Sequence, residues 1–166
     1  MSPRVVLVGP MGAGKTTVGA LLAERWGVDA RDTDADVERL EGRTISDIFV
    51  ESGEAHFRDL ERKAVAEALA SHAGALALGG GAVLDPDTRE LLAGHTVVFL
   101  RVGLSDAVKR VGLGSARPLL LGNVRGQIKA LLDERTPIYE SVATLVVDTD
   151  GRTPDEVAGE IVEALS

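Results

Sequence analysis

The stretch Gly9–Thr16, which reads GPMGAGKT, decides the fold of this 166-residue chain. It follows the β-branched run Val5–Val8 and precedes a helical pattern from Thr16 to Trp26. A glycine-rich turn that leaves a strand, opens a helix and ends in Gly-Lys-Thr is typical of a loop that binds nucleotide phosphates. The alternative is a turn that carries its lysine by chance, and the strand–turn–helix context argues against it.

The same stretch predicts which groups bind the nucleotide. Its glycines can adopt backbone angles that are closed to other residues, so successive N–H groups can point into one concavity. The helix that follows adds unpaired N–H donors and the positive end of its dipole. Lys15 can then reach the β- and γ-phosphates, and the Thr16 hydroxyl can bind Mg²⁺. The predicted ATP-binding residues of the loop are Gly12, Ala13, Gly14, Lys15, Thr16 and Thr17.

Composition narrows the class of protein. With 166 residues, 45% of them hydrophobic, the chain predicts one domain over residues 1–166 with a substantial core. A net charge of −8 argues against nucleic acid or an anionic membrane as the main ligand. Cysteine is absent, no apolar run approaches ~18 residues, and strand residues begin by Val5, which leaves no room for a signal peptide. These features fit a cytoplasmic protein. We also expect it to be a monomer.

Five short apolar runs alternate with helical stretches. Most of the runs are unbroken rather than alternating, as expected for strands that are covered on both faces: Val5–Val8, a weak run near Val28, Ala75–Leu78, Val97–Leu100 and Leu145–Val147. The predicted helices are Thr16–Trp26, Ala35–Glu41, Ser46–Glu51, Glu54–Ser71, Pro86–Ala93, Ser105–Val111, Val124–Tyr139 with an interruption near Pro137, and Pro154–Leu165. This alternation predicts a three-layer α/β/α fold with a five-stranded parallel sheet.

Polar residues follow several of these strands, where ligands of such sheets bind. Asp32 and Asp34 come after the second run; Asp32 would lie near Mg²⁺ and the phosphates, although Thr33 or Asp34 could instead cap the next helix. Gly79, Gly80 and Gly81 end the third run and let the backbone approach a ligand. A flexible turn is the alternative for the glycines.

Two arginines and two phenylalanines lie on predicted helices away from the loop. Arg58 could pair with Glu54 or Glu61 on a solvated helix face, and Arg135 with a neighbouring acid. If they converge on a pocket, their guanidinium groups would instead bind a carboxylate or a phosphate. Phe49 and Phe57 could belong to the core or form the wall of a substrate ring.

Taken together, these residues resemble the shikimate kinases, a family of the nucleoside-monophosphate-kinase-like group of P-loop NTPases. The resemblance covers nearly the whole chain, and beyond the loop it rests on Asp32–Asp34, Ile45–Phe49, Gly53–Arg58, Gly79–Gly81, Arg117–Leu120 and Arg135–Tyr139.

The resemblance implies ATP-dependent phosphorylation of the 3-hydroxyl of shikimate, with Mg²⁺ held by Thr16 and Asp32. Asp34 would hold or deprotonate substrate hydroxyls, and Arg58 and Arg135 would hold the carboxylate beside the triple glycine. The substrate-binding region would span about residues 33–61, and a mobile lid about residues 112–123. Lys15 and, from the lid, Arg117 would serve the transferring phosphoryl group, while Arg110 and Arg152 would flank adenine.

Two departures and two alternatives accompany this resemblance. Ala77 stands where the family often carries a hydroxyl residue that supports the metal, and the lid has its own composition at Gly112–Ser115. Another small kinase, for gluconate or a nucleotide, would keep the loop and lid without the set of Asp34, Arg58 and Arg135. A GTP-hydrolysing switch would need an Asn-Lys-x-Asp motif, which the run 147–152 lacks.

Overall fold

The computed structural model describes residues 2–112 and 124–166. Within them, five parallel strands form one sheet in the order β2-β3-β1-β4-β5. The strands are β1 (Val5–Val8), β2 (Ala30–Asp32), β3 (Ala75–Ala77), β4 (Val97–Arg101) and β5 (Leu145–Asp148). The five-stranded parallel sheet that the sequence predicts is therefore confirmed, with β2 two residues beyond the weak run at Val28.

Eight α-helices accompany the sheet in the described part of the chain. They are α1 (Lys15–Trp26), α2 (Thr33–Glu41), α3 (Ile45–Ser52), α4 (Glu54–Ser71), α5 (Pro86–Leu92), α6 (Leu104–Gly112), α7 (Val124–Val142) and α8 (Pro154–Ala164). A short 3₁₀ helix at Ala82–Leu84 was not expected. The predicted lid residues 113–123, among them Arg117, lie outside the described residues.

Two helix predictions were wrong. The helix α7 continues through Pro137 instead of breaking there. The next two residues, Ile138 and Tyr139, pack on the core, and this packing holds the last turns although proline removes one backbone hydrogen bond. The helix α6 begins at Leu104, one residue before the predicted cap Ser105.

The core lies on both faces of the sheet. Along β1, Val5 and Leu7 pack into one cluster with residues of α1 and α8. Val6 and Val8 pack into a second cluster with residues of α4, α5 and α7. Because successive strand residues point to opposite faces, the unbroken apolar run feeds both layers at once. The three-layer α/β/α architecture is thereby confirmed.

A third, smaller cluster joins helices α2, α3 and α4 beyond the sheet. It is built on Val37, Ile48, Phe57 and Ala64, with Phe49 packed against it. This cluster holds the region of residues 33–61 over the carboxyl end of the sheet. In the described part of the chain, no helix is long and apolar enough to cross a membrane.

The strand order determines where a ligand fits. β1 lies between β3 and β4, and the chain goes from β1 to the β2 side of the sheet before it returns to β4. Such a reversal opens a crevice at the carboxyl end of the sheet. The turn after β1, which is the glycine-rich loop, borders this crevice.

Candidate active site

The glycine-rich loop has the backbone that its sequence predicts. Gly9, Gly12 and Gly14 have φ values of 151°, 85° and 92°, all in the region that disfavours side chains. A Cβ on Gly9 would also lie 2.7 Å from the carbonyl oxygen of Leu100. The first turn of α1 opens directly behind the loop at Lys15, so its N–H donors face the same space.

Lys15 is folded back onto this loop. Its Nζ donates to the carbonyl oxygens of Gly9 and Pro10, at 2.6 and 3.0 Å. The side chain also borders the large cavity described below. The ammonium group of Lys15 therefore lies at the edge of the cavity, and a rotation of its side chain would bring it in front of the loop.

Thr16 and Asp32 meet in front of the loop. The Thr16 hydroxyl donates to Asp32 Oδ2 at 2.5 Å. The other carboxylate oxygen of Asp32 accepts from the N–H groups of Asp34 and Ala35, at 2.8 and 3.4 Å. Asp32 is thus itself the N-cap of α2, and the alternative that Thr33 or Asp34 caps this helix was wrong. The cap fixes the orientation of the Asp32 carboxylate.

Position 77 lies beside this pair. In the β2–β3 register Ala77 is the partner of Asp32, and it is 3% exposed. A methyl group therefore stands where a hydroxyl could bond to the carboxylate or to a cation's water shell.

The triple glycine forms a wall on which three distant side chains converge. A Cβ on Gly79 would lie 2.5 Å from Asp34 Oδ1, and one on Gly81 2.5 Å from Arg58 Nη1. A Cβ on Gly80 would lie 3.8 Å from Arg135 Nη1. Asp34, Arg135 and Arg58 therefore lie beside the three glycines in turn, and a side chain at Gly79 or Gly81 would push Asp34 or Arg58 away.

Arg58 forms the ion pairs with Glu54 and Glu61 that a residue on a solvated helix face would form. It also borders the large cavity described below. Its Nη1 donates to Glu61 Oε1 at 2.8 Å, and its Nη2 to Glu54 Oε2 at 3.4 Å. Glu61 is 4% exposed. Burial raises the pKa of Glu61, and the nearby Arg58 opposes that rise. This buried acid holds the arginine with its whole guanidinium group against Gly81.

Arg135 differs from the surface alternative. Its Nε is buried and has no hydrogen-bond partner among the described residues. The neighbouring acid Asp133 pairs instead with Lys129, at 2.6 Å. A buried guanidinium nitrogen without a partner is costly, so its surroundings suit an anionic ligand.

One cavity of about 570 Å³ is bordered by Lys15, Thr16, Asp32, Asp34, Arg58 and Arg135. Gly80 and Gly81 also line it, whereas Gly79 does not. Its walls include the loop residues Lys15 and Thr16 at one end and Arg58 and Arg135 at the other. Phe49 and Phe57 form a side wall, with their ring centroids 5.0 Å apart. The volume is sufficient for a small polyol together with the end of a nucleotide.

A second, smaller cavity of about 170 Å³ lies on the other side of the loop. Arg110 and Arg152 both border it, with Gly12, Ala13, Gly14 and Thr17. Arg110 donates to the carbonyl of Gly12 at 3.1 Å, so it is also tied to the loop itself. Arg152 donates to the carbonyl of Asp148 at 2.9 Å.

Sequence reasoning missed several residues of the large cavity. They are Met11, Ile45, Ser46, Val50, Glu61, Leu78 and Leu131. Glu61 had a signal that could have been used, since it stands four residues after Phe57 on the apolar face of α4. An acid on that stripe is buried and needs a partner. Leu131 had no comparable signal, because its helix approaches the cavity only through tertiary packing.

Comparisons with known proteins identify the family. A family model described as "Shikimate kinase" matches residues 11–166. A shikimate kinase of Thermobifida fusca is 63% identical over 163 residues, which are 98% of this chain and 95% of the relative. One from Salinispora arenicola is 61% identical over 166 residues, covering 100% of this chain and 99% of the relative.

Among solved structures, the shikimate kinase from Acinetobacter baumannii in complex with shikimate superposes with a TM-score of 0.93. It is 36% identical, and the match covers 99% of this chain and 93% of that one. The family model and the full-length relatives decide against the gluconate or nucleotide kinase and against the GTP switch. The chain belongs to the shikimate kinase family.

Proposed function

We propose roles for individual residues in the reaction of this shikimate kinase. The reaction transfers the terminal phosphoryl group of ATP to the 3-hydroxyl of shikimate and yields shikimate 3-phosphate and ADP. One observation carries the proposal: Asp34, Arg58 and Arg135 lie against one glycine wall, in the cavity that Lys15 also borders. Shikimate is an anionic polyol. It needs cationic groups for its carboxylate and an acceptor for its hydroxyls, and this set provides both.

In the acceptor half, Arg58 and Arg135 hold the carboxylate. The unpartnered Nε of Arg135 supports this role, since a carboxylate oxygen would satisfy it. Asp34 accepts from ring hydroxyls and orients the attacking oxygen, either as a positioning group or as the proton acceptor. Gly79, Gly80 and Gly81 admit the ring to close contact, and Phe49 and Phe57 cover its apolar face.

In the donor half, the N–H groups of the loop and of the first turn of α1 bind the phosphates of ATP. The residues are Gly12, Ala13, Gly14, Lys15, Thr16 and Thr17. Lys15 exchanges the carbonyls of Gly9 and Pro10 for phosphate oxygens and offsets the charge that develops on the transferring group. Arg110 and Arg152 flank adenine in the smaller cavity.

Thr16 and Asp32 would hold Mg²⁺. Their side-chain oxygens are 2.5 Å apart and both residues border the cavity, and oxygen donors suit this hard cation. The described residues include no cluster of three or more His, Cys, Asp or Glu that could hold a metal, so most of the ligands would be phosphate oxygens and water. When bound, Mg²⁺ neutralises charge on the β- and γ-phosphates.

Three further assignments complete the proposal. Arg117, which lies outside the described residues, swings in with a lid of about residues 112–123 and adds a second cation at the γ-phosphate. Residues 1–166 act as one domain, with residues 33–61 as the substrate-binding region. We further propose that the enzyme works as a monomer in the cytoplasm.

A substrate comparison tests the acceptor assignment. ADP formation from ATP and Mg²⁺ is measured with shikimate, with shikimate that lacks the 3-hydroxyl, with gluconate and with a nucleoside monophosphate. We expect turnover with shikimate alone. The analogue without the 3-hydroxyl has no oxygen to accept the phosphoryl group, and gluconate or a nucleoside monophosphate would leave buried polar groups of the site unpaired. Comparable turnover with gluconate would overturn the assignment of this cavity to shikimate.

A further inference from the structure

We propose that Thr33 and Tyr139 are positioning residues whose two hydroxyls clamp the triple-glycine turn and thereby set the shape of the acceptor site. The inference rests on the function proposed above. It starts from a difficulty in that site. A turn of three glycines has no side chains to hold it and the largest conformational freedom in the unfolded chain, yet Asp34, Arg58 and Arg135 all lie against it.

Tyr139 holds the middle of the turn. Its hydroxyl donates to the carbonyl oxygen of Gly80 at 2.5 Å. The residue is 1% exposed, and its ring lies 5.0 Å from that of Phe99, so the hydroxyl cannot move away without disturbing the core. Burial raises the pKa of Tyr139 to about 12, which keeps the donor proton in place.

Tyr139 also links the turn to an arginine of the site. It stands four residues after Arg135 on α7, so both side chains lie on the same face of that helix. Arg135 contacts the wall at Gly80, the residue whose carbonyl Tyr139 binds. One face of α7 therefore positions both Arg135 and Gly80, the glycine that Arg135 contacts.

Thr33 holds the start of the turn. Its side chain is fully buried, and its Oγ1 accepts from the N–H of Gly79 at 3.3 Å. Thr33 directly precedes Asp34, whose carboxylate lies against the Cα of the same glycine. The first turn of α2 therefore contacts Gly79 at two points. Thr33 accepts from its N–H, and Asp34 lies against its Cα. The two hydrogen bonds hold the peptide units on either side of the one between Gly79 and Gly80, and so position this turn relative to the side chains that bind the acceptor.

Steady-state kinetics with variants of the full chain test the clamp. Tyr139→Phe keeps the ring and removes only the hydroxyl. We expect its KM for shikimate to rise about five- to tenfold, since one hydrogen bond that positions the site is lost. Its KM for ATP should stay within about twofold. Thr33→Val should act in the same direction, and Thr33→Ser, which restores the acceptor oxygen, should return the KM for shikimate to near the wild-type value.

Two controls separate the possible outcomes. Thr88→Val removes the hydroxyl of another buried threonine, which lies on α5 and does not border the cavity, and it should leave both KM values unchanged. Arg58→Ala, in the same assay, tests the acceptor site itself. If Arg58→Ala raises the KM for shikimate while Tyr139→Phe and Thr33→Val leave it unchanged, or raise both KM values equally, the clamp is overturned and the proposed function stands. If Arg58→Ala has no effect, the acceptor site fails and the clamp with it.

Discussion

The phosphate-binding loop and the glycine wall of the acceptor site are both rich in glycine, yet they are built in different ways. The loop is one continuous segment, Gly9–Thr16, whose own backbone angles shape the concavity. The wall at Gly79–Gly81 is shaped by partners that lie far away in sequence: Thr33, Asp34, Arg58, Arg135 and Tyr139.

This difference has consequences for the two substrates. Phosphate is bound mainly by N–H groups, which every residue except proline carries, so the loop needs the right angles more than particular side chains. In the proposed function, shikimate is bound by side chains that must lie at fixed distances from one another. Substitutions should therefore separate the two halves, and the following four variants test that separation, in order of the expected effect.

Replacement of the one indispensable side chain of the loop should have the largest effect. Lys15→Met is expected to lower kcat about a thousandfold, because a preorganised cation at the transferring phosphoryl group is lost. Stopped-time measurements of ADP formation at saturating substrates test this. Lys129→Met, at an exposed lysine of α7, is the matched control and should retain wild-type kcat. A loss of less than about tenfold in Lys15→Met would mean that the backbone N–H groups and the other cations of the site bear the charge without Lys15.

Loss of a wall arginine should affect one substrate only. Arg58→Ala is expected to raise the KM for shikimate roughly 10- to 100-fold, as for a charge-assisted hydrogen bond, with the KM for ATP within a few-fold. The control is Arg62→Ala on the same helix, where the arginine pairs with Asp59 and Asp85 instead. Equal damage to both KM values would show that Arg58 is structural and would remove the distinction between the two halves.

A methyl group added to the wall should act through Arg58 without removing it. In Gly81→Ala the new Cβ would lie 2.5–2.8 Å from the guanidinium atoms, so the arginine must move. We expect the KM for shikimate to rise about fivefold, which corresponds to a modest displacement of the side chain. Gly19→Ala in α1 is the matched control, because its Cβ would meet only Leu7 Cδ1, at an ordinary 3.5 Å. Unchanged kinetics in Gly81→Ala would show that the wall does not need its glycines.

The smallest effect concerns stability. Burial raises the pKa of Glu61 above its ordinary 4.5, so the folded chain binds this proton more tightly than the unfolded chain does. This contribution to the free energy of unfolding is present below about pH 4.5 and is lost as the pH rises through the raised value. Glutamine does not titrate. The free energy of unfolding of the wild type should therefore fall relative to that of Glu61→Gln across this window.

Urea unfolding of both proteins at a series of pH values between 4 and 8 measures that difference. A difference that stays constant or grows in favour of the wild type would mean that the Arg58–Glu61 pair outweighs the cost of burying the charge. In that case Glu61 would hold Arg58 in place without lowering the free energy of unfolding when it is charged.

Local sequence signals predicted the elements well where a single segment contains the whole cause. Thr153 and Glu156 form a capping box at the start of α8, and Asp85 caps α5 ahead of Pro86. The predictions failed where distant packing overrides a local preference. Pro137 would end an isolated helix, but Tyr139 and its neighbours hold α7 to the sheet.

The residues of the site also divide into those that local sequence predicts and those that depend on distant packing. Arg58 and Arg135 had surface alternatives that no local pattern could exclude, and only the positions of α4 and α7 decide between the alternatives. Asp32 was expected near the metal and proved also to be the cap of α2, because one carboxylate has an oxygen for each task. The lid arginine Arg117 stays a prediction.

By itself, the sequence determined the strand–turn–helix unit that we propose binds the nucleotide, because glycine angles and helix N–H groups are properties of contiguous residues. The resemblance in its scattered motifs also identified the shikimate kinase family. Only the tertiary structure decided that Asp34, Arg58 and Arg135 lie against one wall, and that the hydroxyls of Thr33 and Tyr139 hold it. Distances between residues that are tens of positions apart follow from how the strands pair and the helices pack, and no local segment contains that information.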